Sequence, residues 1–261
     1  MSGAGNDFVL LSGGGFSGPE LKRLAVKLCA PKTAIGADGL LYVKKISKTG
    51  AGLRYFNSDG SEAFCGNGSR CAAWWAYVSG LVKEERFSLC TIRGVLPVEI
   101  TARETVKMRM PGVSAVELNY RGRYPAPVKK VHFLDTGVPH AVIPLKDLGS
   151  VDVERLGRLL RHHKAFGPAG ANVNFVNLKG RVMHIRTYER GVEAETLACG
   201  TGITAGAITL GIEKGLKCPV EVIARSGEKF KVWFKACPAG SAHDIYIQGP
   251  AKIVFEGEIE I

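Results

Sequence analysis

A short motif occurs twice in this chain, half a chain apart, and it constrains the fold more than any other feature. Cys65-Gly66-Asn67-Gly68 recurs as Cys199-Gly200-Thr201-Gly202, so the two cysteines are 134 positions apart (199 − 65) in 261 residues. Each motif follows a strand-like stretch and an acidic connector that contains Glu62 or Glu195, and each precedes an apolar, alanine-rich segment. Repetition of the surroundings as well as the motif predicts a chain built from two similar halves.

The segments around the motifs predict the same element order in both halves. Strands are expected at 53–57 and 183–189, helices at 72–82 and 203–212, and further strands at 87–92 and 220–224. Both helices are apolar on nearly every face, which is typical of a helix buried inside its domain. We predict an α+β fold with two pseudo-symmetric halves. Each half would wrap antiparallel strands as a barrel around a central helix, with the active site in the cleft between the halves.

The alternative to two halves is a single α/β domain, which the excess of strand-like segments over helices disfavours. The predicted boundaries are residues 1–115 for the half with Cys65 and residues 116–246 for the half with Cys199. Residues 247–261 would form a C-terminal strand that returns to the N-terminal half. A shorter similarity between residues 5–9 and 171–176 aligns Asn6 with Asn172.

A cysteine at the start of a helix lies among unpaired N–H groups, which favour a thiolate and also attract a carboxylate. Two such cysteines in related halves indicate a reaction with mirror-related faces, such as racemisation at an amino-acid α-carbon. One thiolate would remove the α-proton from one face while the other thiol returns a proton to the opposite face. The simpler interpretation is that Cys65 and Cys199 are buried cysteines in tight glycine turns.

Other motif interpretations are weaker. Residues 200–205 match the dinucleotide pattern G-x-G-x-x-A, with Glu221 at about the distance of a ribose contact, but residues 193–198 do not resemble a buried parallel strand. Cys65 and Cys71 lack zinc-ligand spacing, so we expect no metal. A hydrolase that paired Cys65 with His140 would leave the second motif unexplained.

Composition limits the possible partners and the cellular compartment. The net charge of +11 has no clusters with interleaved aromatic residues, which disfavours nucleic acid as a partner. The longest apolar run, residues 72–78, is far shorter than the ~18 residues that a membrane span needs. The seven cysteines are irregularly spaced, and the first residues lack the pattern of a secretory signal. We therefore expect reduced thiols in a cytoplasmic protein.

Six motifs in order resemble those of the diaminopimelate epimerases, cofactor-independent isomerases of lysine and peptidoglycan-precursor biosynthesis. They are Gly3-Ala4-Gly5-Asn6-Asp7-Phe8, Gly36-Ala37-Asp38-Gly39, Phe56-Asn57-Ser58-Asp59-Gly60-Ser61-Glu62 with the Cys65 motif, Gly137-Val138-Pro139-His140, Asn172-Val173-Asn174-Phe175, and Tyr188-Glu189-Arg190-Gly191 with the Cys199 motif. The resemblance extends over nearly the whole chain.

This resemblance implies that Cys65 and Cys199 are the catalytic acid and base, and that His140 and Glu189 tune the pair of thiols. The residues that would bind substrate are Asn6, Asn57, Gly66, Asn67, Asn172, Glu189, Arg190, Gly200 and Thr201. The implied reaction interconverts LL- and meso-2,6-diaminopimelate without a cofactor or metal, in a homodimer that binds neither nucleic acid nor membrane.

Two positions depart from the family pattern. Position 39 is Gly where many members have a Gln that contacts substrate, and position 138 is Val where many have Asn. We therefore carry over no binding role for Gly39 or Val138. One alternative is a racemase or epimerase for another amino acid, such as histidine or hydroxyproline. Another, from a different class, is a non-catalytic basic binding protein.

Overall fold

The computed structural model describes residues 1–113, 115–237 and 240–260, and it divides the chain into two compact units. The first unit comprises Met1–Met108 and Gly249–Ile261, and the second comprises Arg109–Gln248. Ser114, which lies next to the predicted boundary between the two halves, is outside the described residues. None of the described helices is both long and apolar enough to cross a membrane.

The first unit begins with eight strands and two helices, one helix after the second strand and one after the fifth. The strands are β1 (Ser2–Gly3), β2 (Asn6–Ser12), β3 (Gly39–Ser47), β4 (Gly50–Asn57), β5 (Glu62–Ala63), β6 (Arg86–Thr91), β7 (Gly94–Ala102) and β8 (Thr105–Arg109), and the helices are α1 (Gly18–Leu28) and α2 (Gly66–Val78). Strands β2 and β3 pair in parallel, as do β4 and β6. The pairs β1–β2, β3–β4, β4–β5, β6–β7 and β7–β8 are antiparallel.

The second unit repeats this arrangement. Its strands are β9 (Val116–Glu117), β10 (His132–Asp135), β11 (Pro139–Pro144), β12 (Asn172–Lys179), β13 (Val182–Glu189), β14 (Ala194–Thr196), β15 (Val220–Ile223), β16 (Lys229–Cys237) and β17 (Ser241–Pro250), and its helices are α3 (Val153–Arg161) and α4 (Gly200–Lys214). Here β11–β12 and β13–β15 are parallel. The pairs β10–β11, β12–β13, β13–β14, β15–β16 and β16–β17 are antiparallel, so the scheme matches that of the first unit.

The predicted fold class, α+β with two pseudo-symmetric halves, is therefore confirmed, and the pairing within each half is mixed. Each half has two parallel pairs because the connections that contain helices α1 to α4 are long enough to join strands that run in the same direction, which a tight hairpin cannot do. The helix after each cysteine was predicted from the sequence, whereas α1 and α3 were not. A capping box of Ser17 and Glu20 starts α1, and the Asp152 carboxylate accepts a hydrogen bond from the Arg155 N–H (3.0 Å) to start α3.

The buried helices α2 and α4 lie where the two apolar segments predicted helices, and both begin one turn or less after the motif cysteine. Gly202 to Gly211 are buried along α4, and α2 buries residues 67–74 and Ala76. Helix α2 ends before Gly80 at φ +73°, and α4 ends at Gly215 in the left-handed region, φ +61°.

Strand register corrects the alignment of Asn6 with Asn172. Phe8 pairs with Gly39 across β2–β3, and His140 pairs with Asn172 across β11–β12. Phe8 therefore corresponds to His140 and Gly39 to Asn172, with offsets of 132 and 133 positions that are close to the 134 between the cysteines. Asn6 lies on β2 and Asn172 on the counterpart of β3, so their similar sequences occur on different strands of the repeat.

The C-terminal segment does not form one long strand. Strand β17 ends at Pro250, Lys252 makes an isolated antiparallel bridge with Ser2, and residues 253–260 have irregular structure. Ala251 N–H also donates to the Glu104 carbonyl oxygen (3.0 Å). These contacts place residues 249–252 in the first unit.

Candidate active site

The two motif cysteines occupy the same position in the two units, as the N-cap of a buried helix. Cys65 has φ −133° and ψ 117°, and its Sγ accepts a hydrogen bond from the Gly68 N–H at 3.4 Å. Cys199 has φ −115° and ψ 110°, and its Sγ accepts from the Gly202 N–H at the same distance. Each thiol therefore takes the place of the hydroxyl or carboxylate that usually caps a helix.

The environment of Cys199 opposes its ionisation. The residue is 6% exposed, and burial raises its pKa far above the ordinary range, with a further rise from the neighbouring carboxylate of Glu189. The Thr201 hydroxyl and the Gly202 N–H lower the pKa, but desolvation of the thiolate outweighs them. The contacts at the start of α4 therefore lower the pKa of Cys199 less than burial and Glu189 raise it.

The predicted binding residues Asn6 and Asn67 form one hydrogen-bonded chain at the start of α2. Asn67 Nδ2 donates to Asn6 Oδ1 (2.6 Å), and Asn6 Nδ2 donates to Asp38 Oδ2 (2.7 Å). From the other side, the buried Arg70 donates through Nη2 to Asn67 Oδ1 (2.8 Å). This chain fixes the orientation of both amides next to Gly66.

Asn57 is held by Tyr55, a residue that was not predicted from the sequence. Tyr55 Oη donates to Asn57 Oδ1 (2.8 Å), and Asn57 Nδ2 donates to Ser61 Oγ (2.9 Å). Burial raises the pKa of Tyr55, and the nearby Cys65 raises it further. A Cβ at Gly39 would lie 2.5 Å from the Tyr55 ring and from the Phe56 carbonyl oxygen. The Tyr55 ring therefore has room in this position because residue 39 is a glycine.

In the second unit, Asn172 positions the backbone of the segment that carries Arg190. Asn172 Oδ1 accepts from the Arg190 N–H (2.9 Å), and its Nδ2 donates to the Pro139 carbonyl oxygen (3.2 Å). Thr196 Oγ1 donates to Glu189 Oε1 (2.5 Å), which orients the carboxylate that faces Cys199. In the described part of the chain, the Arg190 guanidinium makes no hydrogen bond or ion pair.

His140 is fully buried and neutral. Burial, reinforced by the charge of Arg190, lowers its pKa to about 3. Its Nδ1 lies 3.1 Å from Nδ2 of Asn174, a residue on the next strand. The imidazole is therefore an uncharged group at neutral pH.

An arginine clamps the acidic connector before each cysteine. Arg54 donates through Nε and Nη2 to the two oxygens of Glu62 (2.8 and 2.7 Å), and Arg186 contacts Glu195 in the same way (2.7 Å for both). In the sequence the two glutamates were recognised only as markers of the repeat. Their partners Arg54 and Arg186 also recur at matching positions of the repeat. This recurrence is the sequence signal that could have identified both arginine–glutamate pairs.

The predicted site residues are divided between the two units. Asn6, Asn57, Cys65, Gly66 and Asn67 belong to the first unit, and His140, Asn172, Glu189, Arg190, Cys199, Gly200 and Thr201 belong to the second. In residues 1–113, 115–237 and 240–260, no group of three or more His, Cys, Asp or Glu side chains is arranged to hold a metal ion.

Comparison with known proteins identifies the family to which this chain is similar. The diaminopimelate epimerase family model matches residues 1–116 and 132–253. The chain is 40% identical to the diaminopimelate epimerase of Aquifex aeolicus, over 99% of this chain and 96% of the relative. It is 37% identical to the diaminopimelate epimerase of Chlorobaculum tepidum, over the full length of both.

Solved structures with low sequence identity share the fold. A phenazine biosynthesis protein of the PhzF family from Bacillus anthracis superposes with a TM-score of 0.77 at 19% identity, over 100% of this chain and 95% of that one. A hydroxyproline epimerase from Agrobacterium vitis superposes with a TM-score of 0.66 at 17% identity, over 95% and 87%. With full-length relatives at 37–40% identity and a model that matches most of the sequence, this chain belongs to the diaminopimelate epimerase family.

Proposed function

We propose that this protein is an isomerase that interconverts LL-2,6-diaminopimelate and meso-2,6-diaminopimelate with Cys65 and Cys199 as its two acid–base groups. The observation that carries the proposal is that two thiols cap two buried helices at equivalent positions of a duplicated fold. Membership of the family supplies the substrate. Lysine and peptidoglycan-precursor biosynthesis is the corresponding pathway.

The chemistry requires one thiolate and one thiol. The thiolate removes the α-proton, and the thiol protonates the resulting carbanion on the opposite face, so the roles exchange when the reaction runs in reverse. The raised pKa of Cys199 favours its protonated form, which makes Cys199 the proton donor for the first half-reaction in one direction. No electron-withdrawing cofactor is needed if the site stabilises the carbanion electrostatically.

The helix ends provide that stabilisation. The first N–H groups of α2 and α4, at Gly66, Asn67, Gly200 and Thr201, lie at the positive ends of the helix dipoles and attract the substrate carboxylate. Asn6, Asn57 and Asn172 would orient the rest of the diamino acid. The Arg190 guanidinium would pair with the distal carboxylate, for which its planar donors are suited.

The remaining parts of the proposal rest on the family resemblance. We propose a cytoplasmic homodimer that acts without pyridoxal phosphate or metal and binds neither nucleic acid nor a membrane. Size-exclusion chromatography with light scattering measures the oligomeric state. Activity that is unchanged after dialysis against a chelator supports the absence of a metal.

The decisive experiment measures deuterium incorporation in deuterated water under reducing conditions. We expect exchange at an α-carbon of diaminopimelate with formation of the second stereoisomer. Histidine and hydroxyproline serve as parallel substrates, and exchange with one of these instead would assign another amino acid to the same thiols. Exchange with none of them refutes the proposed function.

A further inference from the structure

The layers of side chains beneath the two helix ends occupy equivalent positions but differ in polarity. In the first unit, Phe8, Leu41 and Tyr55 form the layer, and a Cβ at Gly68 would lie 2.8 Å from Leu41 and 3.5 Å from Phe8. The Phe8 and Tyr55 rings meet edge to face at 5.9 Å. This layer is apolar apart from the Tyr55 hydroxyl.

In the second unit, the corresponding layer consists of His140, Asn174 and Thr187. Asn174 pairs with Val142 on β11 and with Thr187 on β13, so these residues lie on adjacent strands. A Cβ at Gly202 would lie 2.2 Å from Asn174 Oδ1 and 3.3 Å from Thr187 Oγ1, which places the layer directly under the N-terminal turn of α4. All three side chains are buried.

Hydrogen bonds fix the orientation of the Asn174 amide. One atom of the amide lies 3.1 Å from the carbonyl oxygen of Ala141, and a carbonyl oxygen only accepts, so that atom is the nitrogen Nδ2. The other atom, Oδ1, accepts a hydrogen bond from Thr187 Oγ1 (3.1 Å). The contact with Ala141 requires this orientation of the amide, and the Thr187 hydroxyl, which can donate or accept, is compatible with it.

This orientation determines which nitrogen of His140 carries the proton. Nδ2 of Asn174 also lies 3.1 Å from His140 Nδ1, and because an amide nitrogen donates, Nδ1 must be the acceptor. In a neutral imidazole the proton is then on Nε2. In the part of the chain that the structure describes, Nε2 has no hydrogen-bond partner, so no other group there competes with Asn174 for the choice of tautomer.

We propose that Asn174 is a positioning residue that holds His140 as the neutral Nε2–H tautomer, which makes this imidazole a hydrogen-bond donor and prevents it from acting as a base. Thr187 supports the arrangement by fixing the rotation of the Asn174 amide. For catalysis, which here rests on the proposed function, the consequence is that His140 does not withdraw the proton that the thiols exchange with substrate.

Nuclear magnetic resonance of the full chain labelled with ¹⁵N-histidine tests the tautomer directly and without reference to activity. We expect a pyrrole-type signal for Nε2 of His140 and a pyridine-type signal for Nδ1 at neutral pH, assigned by loss of both signals in His140→Gln. A pyrrole-type Nδ1, or an imidazolium, in the unsubstituted protein overturns the proposal.

Matched variants test the role of Asn174. In Asn174→Asp a carboxylate faces Nδ1, so we expect the proton to move to Nδ1 or the ring to become charged. Asn177→Asp is the control, because Asn177 is a buried asparagine on the same strand whose amide donates to the Lys146 carbonyl oxygen instead. The control should retain the Nε2–H tautomer. An unchanged tautomer in Asn174→Asp contradicts the proposal.

A second pair of variants covers the case in which Asn174→Asp fails to fold. Thr187→Val removes the hydroxyl that fixes the amide, whereas Thr187→Ser keeps it. We expect Thr187→Val to broaden or divide the His140 signals and to lower kcat about tenfold or more with little change in KM, and Thr187→Ser to restore both. Equal behaviour of the two variants refutes the role of Thr187. Because the tautomer is read independently, loss of the proposed epimerase activity and loss of this proposal are distinguishable.

Discussion

Arg186 grips both carboxylate oxygens of Glu195 at 2.7 Å and, through Nη1, also donates to the carbonyl oxygens of Leu148 and Val151. The pair fixes the hairpin of β13 and β14 immediately before Cys199. In the first unit, Arg54 and Glu62 occupy the equivalent positions before Cys65. Because the pair recurs, the segment before each motif cysteine is held by the same kind of salt bridge in both units.

Loss of the Glu195 charge should destabilise the protein. We expect Glu195→Gln to lower the free energy of unfolding by about 1–3 kcal/mol, because the Arg186 guanidinium loses a charge-assisted bidentate partner in a mostly buried site. Urea denaturation measures the change. Glu221→Gln is the control, since the exposed Glu221 carboxylate lies 3.8 Å from the exposed Lys231 ammonium. Equal stability of Glu195→Gln and the control contradicts a structural role for the pair.

Adding a methyl group at Gly39 should destabilise the first unit. The new Cβ would lie 2.5 Å from both the Tyr55 ring and the Phe56 carbonyl oxygen, so we expect Gly39→Ala to cost about 1–3 kcal/mol. At Gly112 the nearest atom would be 3.7 Å away, so Gly112→Ala serves as the control. Thermal unfolding compares the two variants. A Gly39→Ala protein as stable as the control would show that the strand relaxes freely.

Substitution of Gly66 should affect substrate binding and not folding. A Cβ at Gly66 would meet no other protein atom within 4 Å, so we expect Gly66→Ala to fold normally and to raise KM by blocking the carboxylate. At Gly202 the Cβ would lie 2.2 Å from Asn174 Oδ1, so Gly202→Ala should instead lose stability. Steady-state kinetics and thermal unfolding separate these effects. An unchanged KM in Gly66→Ala argues against a carboxylate at this helix end.

The charge of Glu189 should be measurable at Cys199. Because burial raises the pKa of Cys199 and Glu189 raises it further, Glu189→Gln should lower that pKa. Ultraviolet titration of the thiolate in a Cys65→Ala background would follow the change, with the onset of ionisation moving to lower pH. Glu193→Gln is the control, since the Glu193 carboxylate pairs with Arg161 and accepts from the Gly191 N–H. A shift in the opposite direction refutes this assignment.

Removal of either thiol should abolish epimerisation. We expect Cys65→Ala and Cys199→Ala each to form no second stereoisomer, because each variant lacks the acid or the base for one face. Chiral chromatography of the products provides the measurement. Cys218→Ala, at an exposed cysteine, should retain full activity. Turnover by either variant at a helix end would disprove the two-thiol mechanism.

Local sequence signals predicted local structure well. The two cysteines and the apolar segments after them located α2 and α4, because a repeated motif and apolar composition are both readable along the chain. The equivalence of Gly39 with Asn172 was not readable in this way, since strand register depends on pairing between distant segments. The similarity of residues 5–9 to residues 171–176 therefore gave a wrong alignment. The role of Tyr55 was missed for the same reason, because its contacts with Gly39 and Asn57 exist only in the folded sheet.

The contrast between the apolar layer of Phe8, Leu41 and Tyr55 and the polar layer of His140, Asn174 and Thr187 bears on the direction of turnover. The two halves share their framework of strands and helices, but the side chains beneath the two helix ends differ in polarity. The equilibrium between stereoisomers depends on the substrates alone. The energy of each transition state, in contrast, depends on the polarity of the groups around the thiol that takes part in it. Primary isotope effects measured from the two stereoisomers are therefore expected to differ in size.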